Sequence, residues 1–349
     1  MIDTDKQQAT RVVTVIKTAL IALPIAAMAV LTLTSSLFDN PSDPSGTYKT
    51  PITAPQPQNR LFDTNAIPES LRKYRQINNL PTGLTRPMDI AWYDGRLYIA
   101  GDDCIIVMDP DNGQILQKFR IPRHPTAISV NDSFVAAISQ DSLYSMPTGG
   151  SEFLQVAQFP ADTSNLVAVA ANFENFFVAD SFSGTIYKIG LNGNILNTIH
   201  PQTGDMKFNV TSTGDFDVIF GAEGMLWIAD PGRGQVMAFN TSGENSRNLN
   251  WGKHGERLAN FSGAYNPVHI VMLPNTNIVT AELDPPRIKV YSDAGTLLAV
   301  VAWENTLPKH IRRLNLSTDA AGHIYVLDDV SNTIRIYEKL TPAIEGVLN

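Results

Sequence analysis

The stretch that decides the fold is MLWIAD at residues 225–230, followed by the turn PGRG at 231–234 and a second apolar run, QVMAF, at 235–239. The first run is an apolar strand that ends in a small residue and an acid. This combination of an apolar strand, a glycine turn and a second strand predicts an antiparallel β-hairpin.

The same phrase recurs along the chain. Two clear copies are FFVAD (176–180) before SGTIYKI (183–189) and IYVLD (324–328) before NTIRIY (332–337). Weaker copies are LYIAG (97–101) before IIVM (105–108), FVAAI (134–138) before LYSM (143–146), and VTAE (279–282) before RIKVY (287–291). The aligned acid positions are 37, 42, 50, 52 and 46 residues apart, at Gly101, Ile138, Asp180, Asp230, Glu282 and Asp328. Repeats of this length indicate sheet units that stack because none of them can bury a face alone.

Composition restricts the class of protein. The 349 residues are 43% hydrophobic and 17% charged, which is enough apolar material for a large packed core. The net charge of −8 disfavours nucleic acid as a ligand, because an acidic surface repels a phosphate backbone. Cys104 is the only cysteine, so neither an intrachain disulfide nor a thiolate-cluster metal site can form.

The N-terminal region predicts a membrane anchor. Residues 18–38 carry no charge and are long enough to span a bilayer as a helix. Lys6, Arg11 and Lys17 precede this segment, so residues 1–17 are expected in the cytoplasm and the remaining chain outside, in a bacterial periplasm. The alternative is a cleaved signal peptide and a secreted protein, although no clear A-x-A site follows the apolar run.

The domain boundaries follow from composition. Residues 39–70 are rich in Pro, Ser, Thr, Asn and Gln and are expected to form an extended linker between the membrane and a globular part. Residues 71–340 contain the repeats, and residues 341–349 are a short C-terminal tail. No helical periodicity separates the strands, so the repeats are expected to be antiparallel meanders of four strands each.

The two ends of the repeat region complement each other. The last repeat ends near Tyr337 with little strand material after it, while YRQIN (74–78) precedes the first repeat without a partner. We therefore expect this N-terminal strand to pair with residues 333–337 and close a ring, which would hide the sheet edges.

These residues resemble the NHL-repeat family of six-bladed β-propellers. RPMDIA (86–91) and NPVHIV (266–271) match the family's proline-led inner strand, and WIAD (227–230) and NTIRIY (332–337) match the rest of its pattern. The resemblance covers about residues 73–340 and implies an all-β, six-bladed propeller of four-stranded antiparallel blades. Such propellers include binding scaffolds, lactonases and amidating lyases, so the resemblance implies a fold more than a function.

One candidate site lies on the inner strands, which line the channel of a propeller. The position 11 to 13 residues before each aligned acid is occupied by Asp89, Ala127, Val167, Asp217, His269 and Asn315. Four of these six residues are polar and could bind Ca²⁺ or Zn²⁺, namely Asp89, Asp217, His269 and Asn315. The alternative is that they meet channel water and backbone donors. The repeated acids themselves are expected to cap turns.

A second candidate site lies in the long insertions at residues 201–216 and 244–265. The latter contains Trp251, His254, Arg257, Phe261 and Tyr265, and Trp, Tyr and Arg dominate interface energetics. The alternative is that its aromatic rings pack the insertion onto the scaffold.

No G-x-S-x-G elbow, phosphate-binding glycine loop or zinc-protease signature is present, so no complete catalytic constellation is evident. The sequence therefore favours a membrane-anchored module that binds a protein, a peptide or an envelope ligand. The alternative is a metal-dependent hydrolase or lyase, lactonase-like or amidating-lyase-like, with its site in the channel.

Overall fold

The computed structural model describes residues 67–201, 207–210, 216–221 and 224–341. The predicted cytoplasmic N-terminus (1–17), membrane anchor (18–38), most of the linker (39–66) and all but the first residue of the C-terminal tail lie outside these residues. Within the described part, no helix is long and apolar enough to cross a membrane.

The described residues fold into six antiparallel sheets arranged in a ring. The innermost strands of neighbouring sheets contact one another in chain order, and the first contacts the last. The all-β, six-bladed propeller predicted from the repeats is therefore confirmed. The membrane helix that was expected to precede it is not part of the described structure.

Each blade is a meander that runs outward from the channel. Blades one to three each have four strands: β2 (Pro87–Tyr93), β3 (Arg96–Gly101), β4 (Cys104–Met108) and β5 (Ile115–Arg120); β6 (Pro125–Val130), β7 (Phe134–Ser139), β8 (Ser142–Pro147) and β9 (Leu154–Gln158); β10 (Leu166–Ala171), β11 (Asn175–Asp180), β12 (Thr185–Gly190) and β13 (Ile195–Ile199). Blades five and six continue the pattern with β17 (His269–Met272), β18 (Ile278–Leu283), β19 (Pro286–Tyr291) and β20 (Leu297–Trp303), then β21 (Leu314–Thr318), β22 (Ile324–Asp328) and β23 (Thr333–Lys339).

Ring closure follows the prediction. The N-terminal strand β1 (Tyr74–Pro81), which comes after a 3₁₀ turn at Glu69–Leu71, pairs antiparallel with β23 as the outer strand of blade six. Tyr74 lies opposite Lys339 and Pro81 lies opposite Thr333. The closing strand is therefore longer than the five residues expected from the sequence, and it joins the two ends of the described chain.

Blade four departs from the four-strand pattern. Among the described residues it has three strands, β14 (Asp217–Phe220), β15 (Leu226–Asp230) and β16 (Gln235–Phe239). An irregular segment takes the outer position: Val236 and Trp251 exchange backbone hydrogen bonds of 2.9 and 3.0 Å, and Phe239 bridges Asn245. A 3₁₀ turn at Arg247–Leu249 interrupts this segment, so the edge of β16 is covered without a regular strand.

The hydrophobic core lies between the blades. The middle strands are mostly buried, and Asn175–Asp180 and Leu226–Asp230 are buried at every position. Apolar side chains from adjacent sheets interdigitate at each joint, as where Phe177 of blade three meets Phe220 of blade four. Sheets that alone would expose one face are thereby buried on both faces.

Candidate functional site

Three of the four acids that end the second strand of a blade hold turns, as predicted, whereas the fourth, Glu282, pairs with Arg287 and Lys289. In each of the three turns the carboxylate accepts a backbone N–H two or three residues further on. Asp180 Oδ1 accepts that of Phe182 at 3.0 Å. Asp230 Oδ1 accepts that of Arg233 at 3.2 Å, and Asp328 Oδ1 accepts that of Val330 at 3.0 Å. A short carboxylate at this place satisfies donors that the turn leaves unpaired. These acids are spread around the ring, so they do not form one site.

The pairing of the strands corrects two of the aligned positions. Ser139, and not Ile138, ends β7 at the acid position, because Pro125 lies opposite Ser139 as Pro87 lies opposite Gly101. On β10 the residue equivalent to Asp89 is Ala168, and not Val167, because Ala168 lies opposite Ala179 as Asp89 lies opposite Ala100. The offset from this position to the acid position of the second strand is 12 residues in blades one to three and 13 in blades four to six, a change that the sequence alone does not locate. The four polar positions are unaffected.

The four predicted channel residues do meet. Asn315 Nδ2 donates to Asp89 Oδ1 at 2.9 Å, His269 Nε2 lies 3.8 Å from Asp89 Oδ1, and His269 Nδ1 lies 3.4 Å from Asp217 Oδ2. His269 therefore stands between two carboxylates contributed by blades one and four. The Leu316 N–H also donates to His269 Nδ1 at 3.4 Å. These contacts together determine which of the two ring nitrogens carries the proton.

The same carboxylates also bind backbone amides. Asp89 Oδ2 accepts the N–H of Ile128 in blade two, and Asp217 Oδ2 accepts the N–H of Ile270 in blade five, each at 2.8 Å. Each acid therefore connects its blade to the next one. Burial raises the pKa of Asp217 above its ordinary value, and His269 and the hydrogen bond from Ile270 offset only part of that rise.

The metal ligation predicted for these four residues stays a prediction. Among the described residues, no group of three or more His, Cys, Asp or Glu side chains could hold a metal ion. Asn315 turns its NH₂ group, which cannot ligate a cation, toward Asp89. The carboxylates already accept backbone N–H groups. In this geometry the four predicted ligands bind one another and the scaffold.

These residues separate two cavities along the channel. A larger one of about 690 Å³ opens where the inner strands begin, and a smaller one of about 310 Å³ lies where they end. Both are lined by Asp89, Ala168, Asp217 and His269, which therefore form the floor of the larger cavity. Its volume is within the range of small-molecule sites, about 300–1,000 Å³.

The mouth of the larger cavity carries polar residues that the sequence analysis missed. They are Arg86, Asn165, Arg312, Arg313, Asp329 and Asn332. A signal was available, because Arg86 and Arg313 lie only three and two residues before Asp89 and Asn315 on the segments that lead into β2 and β21. Residues just before an inner strand line the mouth of the channel.

Turn carboxylates fix the backbone that presents these arginines. Asp102 accepts the backbone N–H groups of Thr85 at 3.1 Å and Arg86 at 2.8 Å. Burial acts to raise the pKa of Asp102, but the hydrogen bonds from Thr85 and Arg86 outweigh it and hold that pKa below its usual value. In blade six, Asp329 Oδ1 accepts the N–H of Arg312 at 3.1 Å. The arginine backbones are thus held in place at the mouth.

The loop candidates divide into two groups. Trp251 and Phe261 are 9% and 0% exposed and pack on Tyr291, with ring centroids 4.8 and 5.8 Å away. For these two residues the structure shows the alternative, in which the rings pack the insertion onto the scaffold. His254, Arg257 and Tyr265 are exposed, and Tyr265 is 51% exposed.

A buried lysine fastens the same insertion to blade five. Lys289 Nζ donates to the carbonyl oxygens of Leu258 at 3.0 Å and Asn260 at 2.8 Å, and pairs with Glu282 Oε1 at 2.5 Å. Burial lowers the pKa of Lys289 to about 8, although the attraction of Glu282 opposes that shift. The insertion is therefore held on blade five by buried polar contacts.

Comparisons with known proteins support the fold. No family model matches the chain, and no curated protein matches it significantly. A structural genomics protein of unknown function from Bacteroides thetaiotaomicron superposes with a TM-score of 0.57 at 12% identity, covering 76% of this chain and 75% of that chain. A streptogramin B lyase superposes with a TM-score of 0.55 at 11% identity, covering 78% of this chain and 100% of that chain. The WD40 β-propeller domain of Doa1 superposes with a TM-score of 0.50 at 17% identity, covering 72% of this chain and 78% of that chain.

These likenesses define the class of protein, a six-bladed β-propeller with an open channel. At such identities they show the fold alone. The assignment to the NHL-repeat family in particular has no matching family model and stays a prediction.

Proposed function

We propose that this protein is a binding module, a propeller that takes up its ligand in the larger cavity and presents it outside the cell membrane. The single observation that carries the proposal is the open cavity of about 690 Å³. Both long insertions lead into inner strands, β14 and β17, at the end of the channel where this cavity opens. Loops grouped around a cavity on a rigid scaffold are where recognition residues gather.

The chemistry of the lining supports binding of a polar ligand. Apolar walls, among them Val167, Leu166 and Val268, stand between charged residues at the mouth and at the floor. A protein, a peptide or an envelope saccharide could offer groups to such a surface. The exposed His254, Arg257 and Tyr265 of the insertion are proposed to extend the contact beyond the mouth.

The membrane tether is part of the proposal and rests on the uncharged segment 18–38 with its basic N-terminal flank. Full-length protein should remain in carbonate-washed membranes. A soluble chain that begins near residues 36–40 would show cleavage and a secreted protein instead.

Native mass spectrometry of the full chain in detergent tests the binding function. After incubation with a soluble envelope extract, we expect the protein to retain discrete ligand masses. Val167→Trp should abolish them by filling the cavity, whereas Leu154→Trp, at an outer-strand position that is 65% exposed, should leave them unchanged. Ligand masses that are absent, or equal in all three folded proteins, would contradict a binding site in the cavity.

A second candidate function, a metal-dependent hydrolase or lyase, has one observation in its favour: Asp89, Asp217, His269 and Asn315 do converge in the channel. Metal analysis of the purified full chain and of His269→Ala tests it. Stoichiometric Ca²⁺ or Zn²⁺ that disappears in the variant would favour this function over simple binding.

A further inference from the structure

The charges of the larger cavity are divided between its two ends. The mouth is lined by Arg86, Arg312 and Arg313 and by one acid, Asp329, whereas the floor is lined by Asp89 and Asp217. The chain as a whole carries a net charge of −8, so three arginines at one opening run against its average composition. A cavity with one cationic and one anionic end selects ligands by the placement of their charges.

The mouth arginines are available to an anion. Among the described residues, neither Arg86 nor Arg313 has a carboxylate within 4.0 Å of its guanidinium. Arg312 Nε pairs with Asp329 at 3.3 Å, but its side chain is 83% exposed. A guanidinium group matches a carboxylate or a phosphate in planar, bidentate geometry, which suits this mouth to the anionic end of a ligand.

Within the described part of the chain, the floor carboxylates have no Lys or Arg partner. Asp89 and Asp217 are 7% and 5% exposed, and the ionisable side chain beside them is the imidazole of His269. Other buried acids of this protein pair with a Lys or Arg: Asp230 with Arg233 at 2.5 Å, Glu282 with Lys289 at 2.5 Å and Asp328 with Arg335 at 3.0 Å. Asp180 also has no such partner in the described structure, but it does not line the cavity.

Buried charges are normally paired, so two carboxylates at the floor of an open cavity favour a cationic group supplied from outside. A primary ammonium group offers three donors. It could reach Asp89 Oδ2 and Asp217 Oδ1, each of which accepts one backbone N–H, from Ile128 and Val218 respectively.

The spacing of the two ends sets the size of the ligand. Arg313 and Arg86 precede the floor-level residues Asn315 and Asp89 by two and three positions along their chains. At about 3.3 Å per residue, mouth and floor are roughly 7–10 Å apart. The charged ends of an extended tripeptide are about 10 Å apart.

We propose that the cavity binds a zwitterion of tripeptide size, with its carboxylate at Arg86 and Arg313 and its ammonium group at Asp217 and Asp89. This inference rests on the proposed binding function and names its ligand class. An unmodified short peptide with both ends free is the simplest molecule with this chemistry.

Calorimetric titration of the full chain in detergent tests the inference with Ala-Ala-Ala as the probe. The same peptide with an acetylated N-terminus, or with an amidated C-terminus, lacks one charge but keeps its length. We expect Ala-Ala-Ala to bind and each blocked peptide to bind at least about tenfold more weakly, because each loses one charge-assisted contact.

Variants assign each end of the peptide to its residues. Arg313→Gln should weaken binding of Ala-Ala-Ala about tenfold but leave the affinity for the amidated peptide unchanged, because that peptide has no carboxylate for Arg313. Asp217→Asn should likewise weaken binding of Ala-Ala-Ala about tenfold but leave the affinity for the acetylated peptide unchanged, because that peptide has no ammonium group. Arg75→Gln, on the outer strand β1 with a side chain that is 67% exposed, is the matched control and should bind as the parent does. Because Arg313 is exposed, its variant is expected to fold even if the Asp217 variant does not.

The outcomes separate this inference from the function on which it rests. Equal affinity for free and blocked peptides, or no binding of Ala-Ala-Ala, overturns the zwitterion inference. If envelope ligands still bind and Val167→Trp still abolishes them, the binding function stands. If nothing binds in the cavity, both are wrong.

Discussion

Asp89 Oδ2 on β2 accepts the backbone N–H of Ile128 on β6 at 2.8 Å, so a side chain of blade one completes the hydrogen bonding of blade two. Asp217 and Ile270 repeat this bond between blades four and five at the same distance. Two of the residues predicted as metal ligands therefore also stabilise the ring. Removing either should affect stability as well as any ligand.

Asp89→Ala is expected to destabilise the propeller. The substitution leaves the buried Ile128 N–H without its acceptor and removes the partner of Asn315, and an unsatisfied buried group costs about 1–3 kcal/mol. Asp89→Asn keeps an acceptor oxygen and should cost less. Urea denaturation of the full chain measures both. Asp293→Ala in an exposed turn is the control, and a loss there equal to that of Asp89→Ala would contradict this role.

The insertion offers a matched pair of aromatic residues. Phe261 is 0% exposed and packs against Trp251 and Tyr291, whereas Tyr265 is 51% exposed. Phe261→Ala should lower the free energy of unfolding by about 3–5 kcal/mol. Tyr265→Ala should change it by less than about 0.5 kcal/mol, as for most surface substitutions. Thermal unfolding followed by circular dichroism checks both, and similar effects of the two variants would show that the insertion is not packed as described.

The repeats predicted the ring because a strand-turn-strand phrase is a local signal. The apolar runs that end in an acid, the glycine turns and the unpartnered strand at residues 74–78 were enough to predict the blades and their closure. The fourth strand of blade four could not be predicted. Residues 244–251 cover β16 through two isolated bridges and through the side-chain oxygen of Asn250, which accepts the Ala238 N–H. Such contacts leave no periodic pattern in the sequence.

The residues at the floor of the candidate site were predicted from the sequence, whereas those at its mouth were not. Asp89, Asp217, His269 and Asn315 share a position in the repeat, so alignment alone brought them together. Arg86 and Arg312 come from loops whose course depends on hydrogen bonds to Asp102 and Asp329. The sequence also could not show that Trp251 points into the core, because exposure depends on tertiary packing.

Ring closure can be tested on one strand. Leu80 on β1 is 6% exposed and joins the core between blades one and six, while Ile77 on the same strand is 45% exposed. Leu80→Ala should cost about 2–5 kcal/mol of stability. Ile77→Ala should cost much less, since its side chain already contacts solvent. Denaturant titration measures the free energy of unfolding of both variants. If Leu80→Ala unfolds in the same cooperative transition as the parent, β1 does not close the ring.

The last prediction concerns the pH dependence of stability at Lys289. Burial lowers its pKa to about 8 in the folded protein, whereas an unfolded lysine titrates near 10.4. Between these values the unfolded chain binds more protons than the folded one, so the contribution of Lys289 to stability increases as pH rises above about 8. The charged form below that pH is the less favourable one.

The comparison with Lys289→Met isolates this residue, because all other titrating groups are present in both proteins. The difference in free energy of unfolding, parent minus variant, should be constant up to about pH 8 and then shift in favour of the parent. Measurements should stop at about pH 9.5, because the tyrosines of the unfolded chain ionise near pH 10. Burial raises the pKa of Tyr291, so that residue contributes an opposite trend at higher pH. A difference that stays constant across this range would show that Lys289 remains charged beside Glu282 in the folded protein.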